Sequence, residues 1–183
     1  MKAFNLLPDI GLIGNAQINP RTVRYDHLGV VFKQNGNSRH FGRYLPFNSF
    51  RKKYRQWSAV TAACCMIEKS VFFQIGGFDE NFINGSEYID LCLRLSKENY
   101  KHYVANRSII GHMISSSPNR HKHNSSNIQR LHSCWDKHVQ QNQGKHDKWL
   151  CRCNSLMSFL SKPRNAIAKN SYIQARSDRK SSH

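Results

Sequence analysis

Between residues 59 and 95 the chain alternates strand-like and helix-like patterning around one glycine pair, and no other segment constrains the fold as much. Residues 59–67 (Ala-Val-Thr-Ala-Ala-Cys-Cys-Met-Ile) are small and apolar, which predicts a core strand. Ser70 is placed to cap a short helix running through Ile75, and Gly76 falls where a helix C-terminus favours a left-handed residue. After the loop that carries Asp79 and Glu80, a second helix is predicted from Glu87, with Leu91 and Leu95 stacked at i, i+4 and Cys92 beside them. Strand, helix, turn and helix in this order read as α/β patterning.

The flanks extend that pattern. Residues 9–15 read as a short buried strand, Asn19-Pro20 as a break, and residues 27–33 as a second strand closed by the turn Asn35-Gly36-Asn37. Residues 39–56, basic and aromatic, read as a surface loop. Short strands are expected at 103–104 and 108–110, and a helix at 127–139 whose Ile128, Leu131, Trp135 and Val139 share a stripe. Beyond about residue 160 the tail has Lys162, Arg164, Lys169, Arg176, Arg179 and Lys180 against Asp178, and few large apolar groups, so it is expected to be disordered. The divisions are then 1–137 for the main domain, 138–159 for a helical extension and 160–183 for the basic tail.

Charge bears on partners rather than on fold. With 28 Lys+Arg against 11 Asp+Glu the formal net charge is +17, which favours polyanions such as nucleotides or an anionic membrane surface. Nucleic acid is a weaker expectation, because no helix-turn-helix, zinc-finger or RNA-recognition signature is present. A Gly-Lys-Ser/Thr phosphate loop is also absent, which excludes that class of nucleotide binding. Cys64, Cys65 and Cys92 lie in apolar surroundings, as buried thiols of a reducing compartment would. No cleavable leader or bilayer-length apolar run is visible. The expected location is cytoplasmic, peripheral at the inner membrane face if the basic surface meets anionic lipid. Cys134 and His138, one helical turn apart, with His146, Cys151 and Cys153 downstream, have loose spacing for zinc.

The acids are concentrated. Six of the eleven (Glu68, Asp79, Glu80, Glu87, Asp90 and Glu98) fall between residues 68 and 98, against Asp9 and Asp26 in the first sixty. Carboxylates at the start of a helix, preceded by a glycine turn that lets backbone approach a ligand, suit a general base and an orienting surface. The bland reading of Glu87 and Asp90 is that they favour the helix dipole, and of Asp79 that it caps a turn.

The ordered series Thr61-Ala62-Ala63-Cys64, Gly76-Gly77-Phe78-Asp79-Glu80-Asn81-Phe82 and Asn84-Gly85-Ser86-Glu87-Tyr88-Ile89-Asp90-Leu91-Cys92-Leu93-Arg94-Leu95 resembles the family 2 glycosyltransferases of GT-A fold, in their bacterial rhamnosyltransferase-like branch. Flanking segments at 26–32, His112, 117–120 and 127–135 extend the likeness to roughly residues 9–137. The resemblance implies an α/β fold, a partial GT-A fold of mixed sheet with flanking helices, and transfer of a sugar from a nucleotide-diphosphate sugar donor to a polysaccharide or lipid-linked glycan acceptor, with Mg²⁺ or Mn²⁺ as cofactor. It places Thr61, Gly76, Gly77, Asp79 and Glu80 on the acceptor side, gives the acids at the helix start to catalysis (here Glu87 and Asp90), and gives His112 to the metal.

Two departures qualify it. Tyr88 stands where the family has the aspartate that serves as base, and a phenol of pKa near 10 is a poor base at neutral pH. The donor-binding half, with its Asp-x-Asp, would precede these residues, and no Asp-x-Asp occurs in them. The competing expectation is a non-catalytic remnant or a basic polyanion-binding module.

Overall fold

The computed structural model describes residues 3–43, 52–113, 122–143 and 147–156. Among the described residues seven strands form a mixed five-stranded sheet and a two-stranded hairpin, flanked by three α-helices and a further helical segment at 147–156, so the α/β expectation is borne out. The central strand is β1 (Ile10–Asn19), which pairs in parallel with β7 (Lys101–Gly111). Antiparallel to it, along its other edge, lie β2 (Arg24–His27) and the two-residue β6 (Cys65–Met66). The strand β5 (Tyr54–Trp57) closes the far side, antiparallel to β7. A separate hairpin of β3 (Val30–Phe32) and β4 (Ser38–His40) joins this sheet through a bridge between Val30 and Ala59.

Parallel pairing of β1 with β7 requires a crossover, and α2 (Glu87–Lys97) is its last element before β7. Ile89, Leu91, Cys92, Leu93 and Leu95 of α2 are buried in the main core with Leu12, Val60 and Val104. Burying each leucine contributes about 1.5–3 kcal/mol. The Cys92 thiol lies 3.8 Å from the Val60 carbonyl oxygen, and burial pushes its pKa up to about 12, which makes it a packing group rather than a nucleophile.

Where α2 meets β7, His102 is wholly buried. The Leu12 amide donates to its Nδ1 (3.2 Å), so Nε2 carries the proton and donates to the Cys92 carbonyl at 2.8 Å. Burial lowers its pKa to about 4, and the hydrogen bond to Cys92 only partly opposes this. In the unfolded chain the same imidazole titrates near 6.5. Below that pH the unfolded state binds a proton that the folded state refuses, so the stability from neutral His102 is complete above about 6.5 and is lost as pH falls towards 4. We expect about 3 kcal/mol to disappear across that window, read as a falling urea midpoint. In His102→Gln the slope should flatten, and an unchanged slope would show that other groups set it.

Several expectations from the sequence need correction. The predicted strand at 27–33 is broken into β2 and β3, because Gly29 takes φ +150° beneath the Trp57 ring. Residues 59–67 contribute only the Ala59 bridge and β6, since their backbone turns at 62–64. The expected loop at 39–56 contains the end of β4 and three of the four residues of β5; residues 44–51 lie outside the described set. The first helix, α1 (Lys69–Gln74), has Glu68 and not Ser70 at its N-cap. Strand β7 is continuous through both short strands that the sequence suggested. Helix α3 (Asn124–His138) buries Asn127, Leu131 and Trp135, whereas Ile128 is exposed. A π-helical turn (Val139–Gln143) follows, and residues 147–156 are helical. The basic tail and residues 117–120 lie outside the described residues.

Residues 147–156 are held to the hairpin by polar contacts. Asp147 accepts from the Phe32 amide (2.8 Å) and the Ser58 hydroxyl (2.7 Å), and buried Asn154 bonds the Gly42 amide and the His40 carbonyl. Edge groups of the hairpin, which water would otherwise satisfy, are covered in this way.

Candidate functional site

Helix α1 ends in two left-handed glycines, Gly76 at φ +82° and Gly77 at φ +68°. Their amides return to the carbonyls of Phe73 and Phe72, closing the helix, and free the chain to reverse towards α2. The reversal is fixed by Arg94. Its Nε donates to Asp90 Oδ2 (2.8 Å), Nη1 to the Ile75 carbonyl (2.7 Å) and Nη2 to the Gly77 carbonyl (2.7 Å). One guanidinium thereby satisfies the C-terminus of α1 and a buried carboxylate of α2.

Asp90 has its second oxygen engaged as well, accepting from Trp135 Nε1 of α3 at 2.8 Å. It is 4% exposed, and its two partners come from its own helix and from α3. This arrangement joins α1, α2 and α3. Arg94→Ala should therefore cost about 3 kcal/mol, because it leaves a buried charge and two carbonyls without donors. Arg94→Lys should recover only part of that, since an ammonium cannot reproduce the planar fork. Thermal unfolding of both variants checks the order; equal losses would contradict the three-way clamp.

The loop between the glycine turn and α2 is pinned by α3. Asp79 Oδ1 accepts from the backbone and side-chain nitrogens of Asn81, and Oδ2 forms an ion pair with Arg130 at 2.8 Å. The hydrogen bond from Arg130, followed by those from Asn81, holds the Asp79 carboxyl down at about 2. Buried Asn127 forms a two-way pair with the backbone of Ile83, and Arg130 lies over the Phe82 ring. Glu80 is exposed on the same loop.

Helix α2 opens in an unusual way. Asn84 (φ +55°), Gly85 (φ +158°) and Ser86 (φ +71°) precede it in succession, and the Ser86 side chain does not cap the helix. Left-handed conformations at Asn84 and Ser86 cost about 1–3 kcal/mol each, which the pinned loop sustains. Glu87, the first helical residue, carries Oε2 buried with no hydrogen-bond partner. A buried carboxylate oxygen without a donor is rare in a folded chain and such groups cluster at functional sites.

Beside Glu87, the Tyr88 hydroxyl lies 3.4 Å from His40 Nε2, and His40 Nδ1 lies 2.7 Å from His27 Nδ1. Burial, reinforced by the neighbouring His40 and His112, pushes the His27 pKa well below the usual imidazole range. His112 follows β7, donates its amide to the Ile18 carbonyl and has a buried Nδ1 without a partner. It faces Asp26 and His27 electrostatically. Asp26 Oδ2 and His27 Nε2 also lack partners, so three unsatisfied polar atoms collect where β2 ends and β7 runs out.

The sequence-predicted residues thus fall into two groups. Gly76, Gly77, Asp79 and Asp90 belong to one clamped unit with Arg94 and Arg130, whereas His112 belongs with Asp26 and His27. Thr61 is buried, and its hydroxyl accepts weakly from the Ala63 amide at 3.4 Å. Among the described residues no group of three or more His, Cys, Asp or Glu side chains could hold a metal ion. His112 offers one nitrogen, so these residues do not by themselves fit Mg²⁺ or Mn²⁺, nor does Cys134 with His138 fit zinc. No site role was legible in the sequence for Arg94, Arg130, Asn127, Trp135, His27 or His40. Only Arg94 carried a local signal, an opposite charge at i, i+4 from Asp90.

No family model matches the chain. Over 99 residues, half of its length, it is 34% identical to the O-antigen biosynthesis protein RfbC of Myxococcus xanthus. Over 106 residues it is 34% identical to the uncharacterized protein y4gI of Sinorhizobium fredii. The chain spans about a tenth of the length of these curated relatives, 8% of one and 12% of the other. No helix among the described residues is long and apolar enough to cross a membrane.

Proposed function

We propose that the chain is the acceptor-side part of a glycosyltransferase that moves a sugar from a nucleotide-diphosphate donor to a surface polysaccharide or lipid-linked glycan. The observation that carries the reading is the unpartnered, buried Glu87 oxygen at the mouth of α2, behind a loop that Arg94, Arg130 and Asn127 hold still. Partial similarity to an O-antigen biosynthesis protein supports the same class of substrate.

In this reading the acceptor hydroxyl attacks the anomeric carbon of the donor while the nucleotide diphosphate leaves. The hydroxyl proton passes to the Glu87 carboxylate, and the single displacement inverts the anomeric centre. Asp79, Glu80, the glycine turn and Thr61 orient the acceptor. Asp90, with both oxygens engaged, positions Glu87 through the helix and is the weaker candidate for the base. Residues outside these 183 supply the donor site, and a divalent cation would need ligands from there beside His112. The basic surface draws the protein to an anionic membrane face.

The test is incubation of the protein, at its natural full length, with a panel of nucleotide-diphosphate sugars and a lipid-linked oligosaccharide acceptor. The expected product is the acceptor extended by one sugar of inverted configuration. Absence of product with every donor, from folded protein, would sink the transferase reading in favour of a non-catalytic, polyanion-binding module.

A further inference from the structure

The helix at 147–156 is fastened to the hairpin by one face and turns the other to solvent. Asp147, Leu150 and Asn154 are buried, and the Cys151 thiol lies 3.3 Å from the Phe32 carbonyl oxygen. On the outer face Trp149 is 69% exposed, more than any other large apolar side chain among the described residues, and Leu156 is 59% exposed. Seven residues apart, close to two helical turns, they lie on one line. Lys148 and Arg152 are exposed beside them.

The charge around this line is basic. Arg39 reaches across from β4 to donate to Ser155 Oγ (3.0 Å), and Lys33 of the same hairpin acts with it on the Cys151 thiol. Among the described residues none of Lys33, Arg39, Lys148 and Arg152 forms an ion pair. The nearby acids are engaged elsewhere. Asp147 is buried and accepts from the Phe32 amide and the Ser58 hydroxyl, and Asp136, packed against Gly36 of the hairpin turn, is bonded to His132 at 2.6 Å. The sequence beyond residue 156 adds Lys162, Arg164, Lys169, Arg176, Arg179 and Lys180 against Asp178.

An anionic lipid surface complements both parts of this face. Its phosphates receive the lysines and arginines, and the boundary with the acyl chains receives an indole and a leucine, as it does for helices that lie in the plane of an interface. A nucleic acid would match the charge alone. Single strands are held along a groove with successive aromatic rings to stack on, and here one ring stands on the outer side of a helix. We propose that the outer face of residues 147–156 is where the protein meets an anionic membrane, with Trp149 and Leu156 entering the interface and Arg39, Lys148 and Arg152 against lipid phosphates. The inference rests on the reading of a basic surface that faces such a membrane, and it is independent of Glu87 and of the transfer chemistry.

The chain has three tryptophans, and Trp57 and Trp135 are only 3% and 5% exposed, so the solvent-sensitive emission comes from Trp149. Vesicles of phosphatidylglycerol and phosphatidylcholine in equal parts, at ~0.1 M salt, should shift that emission to the blue and shield it from acrylamide. Pure phosphatidylcholine vesicles should do neither. Lys148→Gln combined with Arg152→Gln should weaken vesicle binding about 25-fold, at roughly five-fold for each basic contact. Trp149→Ser, followed by co-sedimentation, should weaken it about ten-fold, whereas Phe73→Ser, which removes a comparably exposed ring from α1, should bind as wild type. Glu87→Gln should also bind as wild type, which separates loss of membrane contact from loss of transfer. Anionic vesicles that bind without changing Trp149 emission would overturn the assignment to this helix and leave the membrane reading standing. No binding to anionic vesicles would overturn both, while sugar transfer to a soluble acceptor would be unaffected. Shielding of Trp149 by a single-stranded oligonucleotide but not by vesicles would overturn the proposal in favour of a nucleic-acid contact.

Discussion

Gly29→Ala is expected to destabilise the chain by about 3–5 kcal/mol, a large fraction of the roughly 5–15 kcal/mol that keeps a single domain folded. A Cβ at residue 29 would lie 2.1 Å from Trp57 Cδ2 and 2.3 Å from Cγ, well inside any tolerable contact. The backbone there has φ +150°, which side-chain-bearing residues rarely adopt, so strain adds to the clash. Relief by moving the ring is blocked, since Phe41 and Arg55 pack against Trp57. Gly76→Ala is the control: its φ is +82°, but a Cβ would meet nothing within 4 Å, so only about 1 kcal/mol of conformational strain is expected. Urea denaturation of both variants separates the terms. Trp57→Leu in the Gly29→Ala background should return part of the loss, and similar midpoints for the two alanine variants would refute the close approach.

Glu87→Gln should lower turnover of the full-length protein by about 10²–10⁴-fold while leaving its stability within about 1 kcal/mol of wild type. The amide keeps the shape of the carboxylate but cannot take the acceptor proton, and no ion pair is lost because Glu87 Oε2 has none. Asp90→Asn should show the opposite pattern. It weakens the bond to Arg94 and the join to Trp135, so stability falls, and the loss of turnover should track the loss of folded protein. If Asp90→Asn abolishes turnover at full stability and Glu87→Gln does not, the roles assigned here are reversed. Tyr88→Asp adds a third arm: a rise in turnover would show that the phenol beside His40 stands in place of a better base.

How much of this was legible in the sequence depends on the range of the interaction. The glycine turn and the start of α2 were readable because left-handed glycines and an i, i+4 apolar stripe are local signals. The α/β class followed from the same alternation. The broken strand at Gly29 was not readable, because its cause is the Trp57 ring, 28 residues away in sequence. Helix α3 was found, but its buried face was misjudged by one residue. Asn127 turns inward to bond Ile83, 44 positions earlier, and this places Ile128 outside. Glu87 was named from its motif. The feature that distinguishes it from Asp90 is its lack of partners, which no spacing rule encodes.

The central claim is that the loop and helix start at residues 76–88 receive a glycan. Backbone ¹H–¹⁵N NMR of the chain during titration with an O-antigen-type oligosaccharide tests it most directly. The account predicts perturbations concentrated at Gly77, Asp79, Glu80, Glu87 and Tyr88, diminished in Glu87→Gln. No perturbation there, or shifts confined to residues 147–156, would contradict it.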